Sequence, residues 1–452
     1  MSGRQSGVSD APVIHWMNHA SYLLASGSTG MLVAPWFSGT AFNDGWSLLS
    51  PSADLPDDLP FTHLWISHEH PDHFSPRDLA AIPVEVRAEV TAMYQYTRDH
   101  RVVDFLRGLG FAEVIELPPE RVEVAPGIEV LCRPWPAGDS FLVTRMDDRT
   151  IVNLNDCAID TDGTAETIRQ AVDGPVDVLL TQFSYANWVG NPEEVELRRR
   201  HASKKLEWVE RQIQVLAPTW VVPFASFVWF SHEENHYLND EVNTVGSAVE
   251  AIEARTEAIP VVLYPGDRWR IGNAHDASSA VARYEQDHGH TRGRPLTSST
   301  SVGFEVLESA AAECVAELVS VNGRVPMWFA ARVGLVPPVS AWLIDHGTAV
   351  ELSSRGLRQL DAPRTAVDIE MWSSSLLFAL QHGFGASALM INGRFRAPQR
   401  GVGNPWVRWC RLRNLNTRGS TLLEVPMVVL RRFARMGGIR RVIADRVPRP
   451  SS

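Results

Sequence analysis

Apolar residues in the first 270 positions cluster in short runs. Each is closed by Gly, Ser, Asn or Pro and parted from the next by polar or helix-favouring sequence. Residues 13–16, 21–25 and 31–34 predict three strands divided by Gly and Ser turns. Residues 61–67 are mostly apolar and β-favouring before the chain breaks into a polar, Pro-containing loop. Ser75-Pro76-Arg77-Asp78 predicts a helix start, with Ser as N-cap, Pro where its missing N–H is tolerated, and Asp favourable in the first turn. Residues 150–154 predict a strand running into Asn155-Asp156. Residues 176–181, 220–224 and 261–264 predict buried strands, with Pro218 and Pro260 near the starts of the last two. Residues 193–216 have helical composition, with a charged stretch at 198–205. Strands alternating with helices predict stacked α/β layers.

From 275 to 300 the chain turns polar and rich in Gly, Ser and Arg, which predicts a boundary or a long excursion. The division expected is a catalytic domain at 1–275 and a C-terminal α+β region at 301–452, serving as part of a substrate pocket or as an assembly surface. In that region 366–369 and 388–391 read as strands and 372–381 as a helix. No internal repeat is visible.

Composition narrows the function classes. With 452 residues, 44% hydrophobic and 21% charged, the chain reads as globular with room for two or three domains. Fifty-three acidic residues against 42 basic ones give a formal charge of −11, which argues against nucleic acid as the partner. No apolar run is long enough for a bilayer and the polar opening is no signal peptide, so no membrane is expected and the setting expected is cytoplasmic. The four cysteines form no CxxC or CxH pair, which excludes a disulfide scaffold, a cysteine zinc finger and an iron–sulfur cluster of the chain's own. Basic residues are almost all Arg; Lys204 and Lys205 are the only lysines. Residues 394–452 hold 14 Arg against two acids, a local charge of +12. That stretch is either a solvated face balancing an acidic body or a patch for an anionic partner.

The chemistry concentrates in Ser67-His68-Glu69-His70-Pro71-Asp72-His73. Three imidazoles and two carboxylates at 68–73 cannot all be satisfied in a core without a partner. A loop leaving a strand aims the alternate residues His68 and His70 together and Asp72 and His73 at an adjacent point, which suits two cations held by N and O ligands.

This motif, with Asn18-His19-Ala20-Ser21, Pro35-Trp36, Asn155-Asp156-Cys157 and the segment 223–231 before His232, resembles the metallo-β-lactamase superfamily. The resembling branch is the one that holds CMP-N-acetylneuraminate hydroxylase and the di-iron monooxygenases of chloramphenicol and platensimycin biosynthesis. The layout is similar to that of the platensimycin diterpenoid hydroxylase. The resemblance covers roughly residues 13–270 and implies an αββα sandwich, Asp156 bridging two metals, and His232 completing the second site. Superfamily members commonly supply a further histidine to the first site from a Gly-His-Thr/Ser turn; here Asp139 stands at that place in Ala137-Gly138-Asp139-Ser140. Asp139 is then either a ligand or the cap of a turn after Pro136, and Asp156 likewise bridges or caps. His236 competes with His232, being on the same face if that segment is helical. His19 is either a donor behind the ligands or a core histidine. His15 and His63 read as structural.

The ligand set expected is therefore His68, His70 and Asp139 at one metal, Asp72, His73 and His232 at the other, and Asp156 between. A carboxylate in place of a histidine adds charge and a hard donor, favouring iron over zinc, and two histidines with one carboxylate match the facial triad of non-haem iron sites. The resemblance points the same way, to a di-iron monooxygenase of secondary metabolism hydroxylating an unactivated C–H bond. Its substrate would be a small, carrier-bound or coenzyme A-linked molecule, and a separate ferredoxin or reductase would supply electrons, with the Arg-rich patch as a dock. Ala34, where lactonase-like relatives often carry an acid, and the aromatics of 182–191 also depart from a hydrolase. Trp188, Trp229 and Phe230 are either pocket walls or packing. The competing readings are a binuclear zinc or manganese hydrolase of a lactone, thioester or phosphodiester, and a binding protein with structural metals.

Overall fold

The computed structural model describes residues 11–398 and 404–424. Strand periodicity sorts the side chains of the first sheet into two cores. Along the strands Ser21–Ser26, Thr29–Val33 and His63–Ile66, Tyr22, Leu24, Met31, Val33 and Trp65 enter one core, while Leu23, Leu32, Leu64 and Ile66 enter the other. The sheet has seven strands in the order Arg268–Arg270, Val13–Asn18, Ser21–Ser26, Thr29–Val33, His63–Ile66, Thr91–Gln95 and Glu113–Leu117. Its first core is shared with a second seven-stranded sheet, through Val130, Leu142, Ile151 and Leu180. Its other core is closed by the helices Pro76–Ala81 and Arg101–Gly108, through Leu79, Val102 and Leu106.

The second sheet runs Ile259–Pro260, Trp220–Phe224, Val178–Gln182, Arg149–Asn153, Ser140–Met146, Ile128–Pro134 and Val122–Ala125. The helices Asp162–Val172, Val195–Leu216 and Val245–Arg255 cover it with Ile168, Val209, Ile213 and Ile252. Two sheets between two helical layers make the αββα sandwich that the sequence predicts. In both sheets antiparallel pairs give way to parallel strands, so the loops following the parallel strands gather at one edge. No described helix is long and apolar enough to cross a membrane.

Among the described residues the chain divides after Ser298, and Met390–Arg394 belong with the first unit. The polar stretch expected to be a boundary holds a helix, Ser278–His290, whose Tyr284 enters the core and accepts a hydrogen bond from Trp16 Nε1 at 3.0 Å. Residues 261–264 are buried but the strand there is only Ile259–Pro260. The second unit is α+β, with a four-stranded sheet of Gly356–Leu360, Thr348–Ser353, Val339–Leu343 and Ile369–Met371 beside the helix Phe304–Asn322.

Two element assignments in the second unit are corrected. The strand expected at 366–369 forms instead at Ile369–Met371, because Arg364–Ala366 wind into a 3-10 turn in which Ala366 N donates to Pro363 O at 2.9 Å. The strand expected at 388–391 is part of the helix Gly385–Asn392. Ala, Leu and Met favour helix, and a short apolar run has no period of its own to decide the matter. Of the Arg-rich stretch, residues 399–403 and 425–452 lie outside the described residues. Two of its described members, Arg394 and Arg413, are buried and hydrogen-bonded, and so present no charge to a partner.

Candidate metal centre

The strand His63–Ile66 delivers Ser67 to the edge of the sandwich, where two side chains seize its carbonyl. Gln95 Nε2 donates to Ser67 O at 2.8 Å and to Gly138 O at 2.7 Å, and Ser140 Oγ donates to Ser67 O at 2.6 Å. These three bonds fasten the His68 loop to the Asp139 loop across the two sheets. Beyond Ser67 the chain tightens, His73 N and Phe74 N both donating to His70 O at 3.0 and 2.8 Å, and Ser75 caps the helix that follows. Three residues of the loop, His68, Asp72 and His73, are thereby buried, with His70 at the margin.

The side chains converge in two groups whose ligand atoms lie within 4.8 Å of one another: His68, His70 and Asp156, and His19, Asp72 and His73. His68 Nε2 and His70 Nδ1 are 2.9 Å apart. Asp139 Oδ1 stands 3.5 Å from His68 Nε2, adding a carboxylate to the first group. Asp156 lies between the groups, with Oδ2 3.9 Å from His68 Nε2 and Oδ1 3.5 Å from His73 Nε2. It arrives there because the strand Arg149–Asn153 ends in a turn in which Asn155, at φ 50°, donates its N–H to Asn153 Oδ1 at 2.9 Å.

The charges are mutually dependent. Burial disfavours the Asp156 carboxylate, but His73, then His68 and His70, outweigh it and hold the group well below the usual carboxylate range. Burial also opposes an imidazolium at His73, yet Asp72 and Asp156 raise it to about 9. His73 Nε2 and Asp72 Oδ1 are buried without a hydrogen-bond partner. Acceptors and lone pairs facing one another in this way are stable when cations lie between them. The donors are imidazole nitrogens and carboxylate oxygens; Cys157, next in the chain, has its thiol pushed well up by burial and stays protonated. The arrangement fits two borderline or hard divalent cations, with Asp156 placed to touch both.

His19 joins the second group through Asp72, with Nε2 3.3 Å from Oδ2. Its Nδ1 accepts the Phe227 N–H at 3.1 Å, which leaves the proton of the neutral ring on Nε2. His19 thus donates to Asp72 and orients it, the donor role open to it in the sequence. His232 stands apart from both groups, with Nε2 buried and without a hydrogen-bond partner. Its Nδ1 accepts from Glu234 N at 3.1 Å, its backbone N–H donates to Asn235 Oδ1 at 3.0 Å, and it belongs to neither group. Burial, aided by Arg394, presses its imidazole down to about 4. His236, its competitor, belongs to neither group and packs near Trp229.

Other contributors carry no local signal in the sequence. Gln182 Nε2 donates to Asp156 Oδ1 at 3.2 Å, and Lys205 Nζ donates to Gln182 Oε1 at 2.5 Å. Of the aromatics read as walls, Trp229 and Phe230 are buried in packing. The aromatic ring beside the ligands is Phe42, 5.6 Å from the His70 ring. Phe42, Asn43 and Asp44 form a left-handed turn, with φ of 52°, 54° and 59°, a conformation side chains rarely share in succession. Side-chain donors hold the carbonyls here: buried Asn392 on Phe42 O at 2.7 Å, Arg394 on Asn43 O and Asn235 on Gly45 O at 2.8 Å, and half-exposed Thr297 on Asp44 O at 2.9 Å.

The sandwich, with its HxHxDH loop at the strand ends and an aspartate between two ligand groups, decides the fold. This is the metallo-β-lactamase fold. No protein-family model matches the chain. It is 26% identical over 241 residues to a protein of Mycolicibacterium smegmatis named for a Rieske 2Fe-2S centre, which covers 50% of this chain and 45% of that protein. To the cytidine monophosphate-N-acetylneuraminic acid hydroxylase of Danio rerio it is 24% identical over 264 residues, 53% of this chain and 42% of the hydroxylase. A metal-dependent hydrolase of Pyrobaculum islandicum is 26% identical over 275 residues, 57% of this chain and 99% of the hydrolase. The chain thus spans less than half the length of the first of these relatives. Among solved structures, CmlA, a diiron β-hydroxylase of Streptomyces venezuelae, is 18% identical with a TM-score of 0.41, over 59% of this chain and 55% of its own.

Proposed function

We propose that the protein is a non-haem di-iron monooxygenase that hydroxylates an unactivated C–H bond of a natural-product intermediate, such as a diterpenoid acyl thioester. The observation that carries this reading is Asp139 beside His68, where superfamily members commonly place a histidine. With Asp72 and Asp156 it brings the carboxylates around the pair to three. Hard anionic donors favour iron and stabilise its oxidised state. When bound, two irons with open positions would supply activation of O2 with electrons from outside.

The residues of the chain do the rest. His19 and Gln182 fix the carboxylates of Asp72 and Asp156, Gln95 and Ser140 keep the two loops at a set separation, and Phe42 screens His70. Electrons come from a separate ferredoxin or reductase, since all four cysteines are dispersed and buried. The similarity to the sialic-acid hydroxylase of Danio rerio supports the oxygenase class.

A second reading, a binuclear zinc or manganese hydrolase of a lactone, thioester or phosphodiester, is favoured by the match along 99% of the Pyrobaculum hydrolase. Elemental analysis of protein from iron-supplemented cells, purified without chelators, separates the two. About two irons per chain, with O2 consumed once a reductant is added, support the oxygenase. Two zincs, with ester or lactone turnover in the absence of O2, replace it with the hydrolase.

A further inference from the structure

Lysine is a rare choice in this chain: Lys204 and Lys205 are the only two among 42 basic residues. Lys204 is exposed on the helix Val195–Leu216, whereas Lys205 turns inward behind the metal centre. Its Nζ donates to Gln182 Oε1 at 2.5 Å and lies 5.0 Å from the Trp208 ring. Among the described residues it makes no ion pair; its charge bears on the amide in front of it and, over a longer gap, on Asp156 and Asp139.

That amide has a single workable orientation. Gln182 Nε2 faces two acceptors, Asp156 Oδ1 and Ala225 O, each at 3.2 Å, while Oε1 faces an ammonium that can only donate. A flipped amide would set oxygen against both acceptors and NH2 against the ammonium. An ammonium on Oε1 polarises the amide and strengthens its N–H donors. The strengthened bond falls on Oδ1, the Asp156 oxygen that faces His73.

We infer that Lys205 is a positioning residue of the metal bridge, acting through Gln182 to hold Asp156 as an anion in one rotamer between the two cations. The inference rests on the binuclear reading of the centre. Gln182 alone would still meet Ala225 O and keep its orientation; what Lys205 adds is polarisation, and with it the stiffness of the bridge.

Cobalt(II) tests this, because its d–d absorption reports ligand geometry and needs no turnover. The full chain and its Lys205→Met, Gln182→Ala and double variants are loaded with cobalt, and the affinity for the second ion is measured. Lys205→Met is expected to weaken the second ion by about 10- to 100-fold, as loss of a partner to a ligand does, and to shift the d–d bands. The double variant is expected to match Gln182→Ala alone, since both act through one bond. Unchanged spectrum and affinity in Lys205→Met, or losses that multiply in the double variant, overturn the relay while leaving the two-metal centre standing. A wild-type chain that binds fewer than two cobalt ions overturns both. Should circular dichroism show Lys205→Met unfolded, Lys205→Gln takes its place in the same cycle.

Discussion

Asp139 Oδ1 stands 3.5 Å from His68 Nε2, on a side chain the fold has nearly buried. That contact turns the carboxylate oxygen toward the ligands. Asp139→His exchanges a hard anion for a borderline neutral donor and should raise the ratio of zinc to iron in purified protein. O2-dependent hydroxylation should fall at least about 100-fold with the fold intact. Metal analysis beside circular dichroism checks it; full oxygenase activity in this variant would remove Asp139 from the ligand set.

Asp156 serves both groups, so its loss is felt at both. Asp156→Ala should retain about one metal per chain or none, because the shared carboxylate is gone and His68 and His73 lose their common partner. The count follows from elemental analysis after gel filtration. Two tightly held metals in this variant would show that the bridge lies elsewhere.

Metal binding must displace a proton at His73. With its imidazole raised to about 9 in the metal-free protein, the ring is protonated at neutral pH and becomes a ligand only by losing that proton. Affinity for zinc or iron should therefore climb with pH up to about 9 and level off above it. A pH-stat titration of metal-free protein near pH 7.5 should record acid release on metal addition; no release would contradict the assignment.

His232 carries a stability signature of its own. Its folded imidazole sits at about 4 against an ordinary value of 6.5, because of burial and then Arg394. Between those values the unfolded chain binds a proton that the folded chain refuses, so stability falls as pH drops from 6.5 toward 4. The loss amounts to as much as about 3 kcal/mol. His232→Asn should flatten that acid limb in urea melts. Metal analysis of the same variant decides its other role: a lost metal places His232 among the ligands, and an unchanged count removes it.

The left-handed turn at Phe42 depends on Asn392, whose amide is its donor at the Phe42 carbonyl. Asn392→Ala removes the shorter of two hydrogen bonds at that carbonyl, Gly45 N keeping the other at 3.2 Å, and should cost about 0.5–1.5 kcal/mol, with a lowered Tm. A Tm equal to that of the parent would mean the turn is held without it.

Stacked α/β layers and the ligand-type residues of one loop were legible in the sequence because both are local, while the αββα order came with the family resemblance. Alternation sorts the strands into two cores, and His68, His70, Asp72 and His73 fall within one loop. Asp156 could be read because it ends a strand. His232 has the same appearance, a histidine just past a strand; Glu234 N and Asn235 Oδ1 engage its Nδ1 and its backbone N–H and leave Nε2 buried without a hydrogen-bond partner. Gln182, Lys205 and Gln95 escaped notice because their partners are 23 to 43 residues away, a distance over which no periodicity operates. The helix Gly385–Asn392 read as a strand because an apolar run that short carries the same letters for either state.

The wall beside His70 has its own timetable. The carbonyls of Phe42 and Asn43 receive their donors from residues 350 and 351 positions further along the chain. On the ribosome, the HEHPDH loop emerges long before Asn392 and Arg394, so the nascent chain can present its histidines while that wall is still unformed. That side of His70 is covered last. Metal acquired during synthesis would meet it open, and metal acquired afterwards would meet it covered while His70 and Asp156 stay half-exposed.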